Sequence, residues 1–213
     1  MPHDLKIRNI VLVGLFNLND FDKYFFIKNE ILAEGDFQNN YIYQPPNIIQ
    51  INTKTIQVVI LPTQFIATSL NPLEVTDNIA TIVRLILKNS KTSSISGLGI
   101  NFQWFFSDEK KSMHEISKQF INPADSVQNS EFNTQDSHFG LYMSKNFKDA
   151  RLKLDIKPSI ISEKSNKIEA IQFAFNFHFE INSTNVEDID KFLSDYADYY
   201  QKASNIMSFY NYE

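Results

Sequence analysis

Apolar and polar residues alternate with a period of two over residues 168–181. Ile171, Phe173, Phe175, Phe177, Phe179 and Ile181 share one face, and Ala170, Gln172, Ala174, Asn176, His178 and Glu180 share the other. That period describes a strand and excludes a helix. The run would reach about 46 Å at roughly 3.3 Å per residue, which is long for one strand, so a bend or bulge is expected within it. Residues 94–106 alternate in the same way. Ile100, Phe102, Trp104 and Phe106 face one side, and Gly97, Gly99, Asn101 and Gln103 face the other.

The closing segment changes period. Val186, Ile189, Phe192, Leu193, Tyr196, Tyr199, Tyr200, Ala203, Ile206 and Met207 recur every three or four residues. This spacing predicts one amphipathic helix of about six turns, near 33 Å. Thr184 and Glu187 have the spacing of a capping box at its start. The Phe face of 168–181 and this helix each need cover from water, and each supplies the other's.

Earlier segments follow the same rules. A β-rich run over 7–16 reads as a buried strand. Asn17 to Asp20 then cap a helix reading Phe21, Tyr24, Phe25, Lys28 and Leu32, with Gly35 as its stop. A loop over 36–47 contains Pro45-Pro46. Residues 48–51 and 55–68 read as a hairpin, with Pro62 marking an edge or bulge in the second strand. Thr76-Asp77-Asn78 caps a helix with Ile79, Ile82, Val83, Ile86 and Leu87 on one face. A short helix over 107–120, a polar loop over 122–137 and strands over 139–144 and 151–156 complete the chain.

This order predicts an α+β fold in one domain, 1–213. Its sheet is largely antiparallel with helices on one face, and the long C-terminal helix packs on the sheet. Two halves, 1–121 and 138–213, read as loosely related units joined by the polar loop.

Composition narrows the function classes. The chain has 213 residues, 43% of them hydrophobic, and no Cys. That length buries a sizeable core without a staple, and the absence of Cys excludes disulfides and thiolate chemistry. A formal charge of −5 disfavours a dedicated duplex nucleic-acid binder. No apolar run approaches the length of a spanning helix. Together these point to a cytoplasmic protein without a membrane segment.

Candidate chemistry is sparse. Neither a phosphate-binding glycine loop nor a nucleophile elbow occurs, and His3, His114, His138 and His178 lack metal-ligand spacing. No cofactor, metal or catalytic residue is expected. One constellation remains. Should the 94–106 and 168–181 strands be neighbours, Asn101, Gln103, Asn176, His178 and Glu180 converge on the sheet face away from the helices. The tyrosine stripe with Tyr199, and the terminal cluster with Tyr210, offer a surface suited to a protein partner.

The helix over 79–87 leading into Ser96-Gly97-Leu98-Gly99-Ile100-Asn101-Phe102, with a closing helix ending in a Phe/Tyr cluster, resembles a loose, sporadically distributed family of uncharacterised bacterial proteins. The resemblance implies the α+β arrangement above and no catalytic residues. The expectation is therefore a non-enzymatic interaction or assembly protein, self-associating or joined to a protein partner. The alternative is a binder of a small apolar ligand, held in a cavity between the sheet and the C-terminal helix.

Overall fold

In the computed structural model the described residues are 4–37, 41–73, 78–91, 94–108, 110–120, 132, 134–163, 166–181 and 186–210. Nine strands form one antiparallel sheet: β1 (Asp4–Leu15), β2 (Ile42–Gln44), β3 (Ile48–Asn52), β4 (Ile56–Leu61), β5 (Gln64–Ser69), β6 (Ser94–Phe106), β7 (Leu141–Phe147), β8 (Ala150–Glu163) and β9 (Asn166–Glu180). Their order across the sheet is β2-β3-β4-β5-β1-β6-β9-β8-β7. Five helices accompany them: α1 (Lys23–Lys28), α2 (Asn78–Asn89), α3 (Met113–Phe120), α4 (Val186–Ser194) and α5 (Tyr196–Ser208). The expected antiparallel α+β architecture is present. β6 of the first expected half pairs along its length with β9 of the second, so the sheet runs unbroken between them.

The core lies on one face of the sheet. Ile10, Leu12, Ile100, Phe102, Leu152, Leu154, Phe173, Phe175, Phe177 and Phe179 are all buried there. The C-terminal helices lie over the β6–β9 pair. Tyr196 and Tyr200 both lie with ring centroids 5.6 Å from Phe102, and Tyr199 lies 5.1 Å from Phe177. Phe192 stacks on Phe179 at 4.6 Å, and Tyr210 reaches Phe173 at 5.1 Å. The Phe face of β9 is thus covered by the closing helical segment, as its alternation requires.

Several boundaries differ from expectation. The closing segment is two helices broken at Asp195, whose side chain accepts from Lys148 Nζ at 2.7 Å and makes no cap bond. Its proposed capping residue Thr184 lies outside the described residues, as do Thr76 and Asp77 before α2. Pro62 stands in the tight turn joining β4 to β5, so the expected second strand is two strands. Proline suits a turn because it has no N–H to give to the ladder. The first helix stops at Lys28 instead of near Gly35, since Glu30 takes a left-handed φ of 55° and Gly35 sits in a separate 3-10 turn.

β9 pairs in continuous register with both neighbours and carries no bulge. The irregularities fall in β1, between Leu5 and Ile7 and between Val13 and Gly14. At the second, the backbone of Ser94 comes so near Gly14 that an added Cβ would lie 2.3 Å from the Ser94 carbonyl oxygen. Only glycine fits that crossing.

Two stability outcomes are expected. Phe177→Ala opens a cavity beneath Tyr199 and should cost about 3–5 kcal/mol in urea unfolding. Gly14→Ala should cost about 1–3 kcal/mol, because the β1–β6 backbones must separate to admit the methyl group. Wild-type stability in either variant would contradict the packing described.

Candidate functional site

β6 and β9 are neighbours, so the polar residues expected to converge do share the uncovered face. Asn101 stands opposite Asn176, His178 opposite Gly99, and Glu180 opposite Gly97. Gln103 stands opposite Ala174 and accepts a bond from Gln172 Nε2 at 3.1 Å.

The surroundings change the meaning of this set. Strand by strand, the register aligns Asn52, Gln57, Thr68, Asn9, Asn101, Asn176, Lys153 and Ser144 in one row across β3 to β7. Three neighbouring pairs in the row bond to each other. Gln57 Nε2 donates to Asn52 Oδ1 at 2.8 Å, Asn101 Nδ2 to Asn9 Oδ1 at 2.7 Å, and Asn176 Nδ2 to Asn101 Oδ1 at 2.6 Å. Slipping one strand by one residue would replace an amide in the row with a core side chain, so the row pins register. The amides therefore serve one another on a flat sheet. Among the described residues, no three His, Asp or Glu side chains gather to hold a metal ion.

Tyr199 is not a surface residue. It is 1% exposed, enclosed by Phe147, Phe177 and Phe179. Burial raises its phenol to about 12, with Asp195 adding to the shift. Lys148 lies beside the ring, held above its ordinary value by hydrogen bonds to Asp195 and Asp198. Helical spacing alone placed Tyr199 with Tyr200, but only the latter is half-buried.

One strongly polar group enters the core. Arg8 is 1% exposed, and its Nε donates to the Tyr196 hydroxyl at 3.2 Å. Its guanidinium carbon lies 5.6 Å from the ring centres of both Tyr196 and Tyr200. Arg8 thereby ties the central strand to the first turn of α5. The apolar run over 7–16 hid this role, because a lone arginine in a strand ordinarily faces water.

Tyr210 leads to a different surface. It lines a groove of about 390 Å³ between α5 and the last two strands, with Met143, Leu154, Lys202, Ile206 and Phe209. β7 forms the outer wall and is the end of the sheet. Phe209 is 82% exposed, Tyr142 60%, Met143 38% and Leu141 37%. The gap follows from geometry. α5 sits over β6 and β9, while β7 lies two strands beyond β9, about 10 Å away. A helix with side chains extends only about 5–6 Å from its axis, so on β7 the cover meets Phe147 near the turn and leaves the strand's other end open.

A larger concavity of about 710 Å³ lies between α2 and α4. Arg84 crosses it to Asp190 with paired bonds of 2.6 and 3.0 Å, holding the carboxyl below its ordinary range. That ion pair joins two helices of the cover and is complete in itself. Among the described residues no helix is long and apolar enough to cross a membrane.

No protein-family model matches the chain, and no curated protein matches it in sequence.

The Tyr199 environment predicts an alkaline effect. Because its folded pKa lies above the usual 10, its contribution is intact below about pH 10 and is lost as pH rises toward 12. Tyr199→Phe should therefore lose less stability than wild type between about pH 9 and 12 in urea unfolding. Identical slopes would mean that the phenol is not shielded from water.

Proposed function

We propose that this chain is a non-enzymatic interaction protein whose recognition surface is the β7 edge with the adjoining groove under Phe209. The observation that carries the reading is a run of three exposed large side chains on an edge strand, beside an apolar groove. Leu141 and Met143 on the groove face of β7, Tyr142 on its other face, and Phe209 just past α5 leave large side chains open to solvent around a sheet edge. Contiguous exposure of this kind marks sites where another surface docks. Aromatic side chains suit such contacts because they bury a large area with little loss of rotamer freedom.

His178 and Glu180 lie on the open sheet face beside amides that bond to one another, an arrangement that lends no support to a catalytic role. The apolar-ligand alternative fares no better in its expected place, where rings from β6, β9 and α5 meet at centroid distances of 5.1 to 5.6 Å. An assembly role needs neither cofactor nor catalytic group, which accords with the absence of nucleophile and phosphate motifs in the sequence.

A photo-cross-linking amino acid placed at Tyr142, and separately at Lys54 on the far side of the sheet, tests the proposal in the source cells. Adducts of discrete mass are expected from position 142 and none from position 54. Equal labelling at both positions, or none at either, would count against the β7 surface as the site of recognition.

A further inference from the structure

The geometry points to an extended acidic segment, carrying a large apolar side chain, as the partner that pairs with β7 as a tenth strand. This inference rests on the interaction reading and adds the chemistry of the partner.

The first argument comes from the two ends of the sheet. β2 has three residues and is followed by Pro45-Pro46, so little backbone is offered there. β7 has seven residues, no proline, and unbroken register with β8. Past Ile156, where β8 becomes the edge itself, Pro158 removes a donor. Among the described residues the sheet is thus blunted at β2 and at Pro158, but not along β7.

The second argument concerns which groups face outward. β7 and β8 are joined by the two-residue turn Lys148-Asp149, and Phe147 pairs with Ala150. That closing pair directs its N–H and C=O groups inward, and direction alternates along an antiparallel strand. Met143 and Lys145 therefore bond to β8, while Tyr142, Ser144 and Asn146 turn their backbone groups away from the sheet. An incoming strand would find a complete template.

Charge decides the occupant. The chain as a whole is acidic at −5, yet cations flank this edge on both faces. On the open face Arg151 reaches toward the edge, donating to Ser144 Oγ at 2.5 Å and to Asn146 Oδ1 at 3.0 Å, and Lys153 lies beside it. On the groove face stand Lys145 and Lys202. None of these four forms an ion pair among the described residues. β7 itself contains no carboxylate. A second copy paired antiparallel through β7 about Ser144 would set Lys145 against Met143 of the copy and bring four more cations to the same edge, so self-pairing is disfavoured. An extended segment that alternates carboxylates with apolar side chains sets its carboxylates against Arg151 and Lys153 on the open face and fills the space between Met143 and Phe209 with an apolar side chain on the other.

A fluorescein-labelled peptide alternating glutamate with leucine, and the same peptide with lysine for glutamate, test this by fluorescence anisotropy on the full chain. The glutamate peptide should bind and weaken with added salt, and the lysine peptide should not bind. Lys145→Glu combined with Arg151→Glu should weaken binding by about tenfold or more. Ser144→Pro should abolish it while keeping the native melting transition, since the outward position loses no bond to β8. If Ser144→Pro does not fold, Met143→Glu serves instead, again with loss of binding expected. Equal binding of the lysine peptide, or indifference to both charge reversals, overturns the acidic partner. So does tighter binding of a single-stranded oligonucleotide at these residues, or a dimer in light scattering that Ser144→Pro dissociates. Cross-links from position 142 without peptide binding would remove the acidic partner and leave the interaction reading in place.

Discussion

The structure depends on covering one face of a wide sheet with very little helix. Two short helices at the end of the chain do most of this over β6 and β9, and they do it with rings. Tyr196, Tyr199, Tyr200 and Tyr210 meet Phe102, Phe177 and Phe173, and Trp104 stacks on Tyr200 at 6.3 Å. Aromatic side chains bury more area per residue than aliphatic ones, so a narrow cover can seal two strands. Its weak point would be sliding of α5 along the sheet. Arg8 opposes that by offering directional bonds to Tyr196 from the central strand. Enclosing an arginine is costly unless its donors are matched, so this anchor favours one placement of the helix over others.

A narrow cover has two consequences. The opposite face must be stable in water and yet in register, and the amide row from Asn52 to Asn176 does this with side-chain bonds that follow the strand pairing. The cover also falls short of β7 beyond Phe147, leaving the groove beside Phe209 and a strand with outward-facing backbone groups. The open edge at β7 is thus a by-product of the same packing that holds the core together.

Much of the fold was legible because burial writes itself as period. Phe173 to Phe179 and Ile100 to Phe106 alternate so regularly that strand, face and cover follow from spacing. The break at Asp195 was not legible, since apolar residues keep helical spacing on both sides of it. The second half of β8 was hidden because Lys157-Pro158-Ser159 reads as a strand end, although it still pairs with β9. The polar sheet face was found correctly as a set of residues. Its role as a register device was not, because that depends on Asn9, Thr68 and Gln57 lying in the same row, which requires the strand order. The β7 groove was reached only through Tyr210. Exposure at an edge is a property of what fails to cover a strand, and no local pattern in Leu141 to Phe147 records it.

Amide hydrogen exchange of the free chain, read residue by residue, tests the open edge most directly. The amides of Met143, Lys145 and Phe147, which bond to β8, should exchange slowly, and those of Tyr142, Ser144 and Asn146 should exchange at rates near those of unstructured peptide. Uniform protection from Tyr142 to Phe147 would mean that β7 already has a partner or a cover in the isolated protein, and the account of its recognition surface would be wrong.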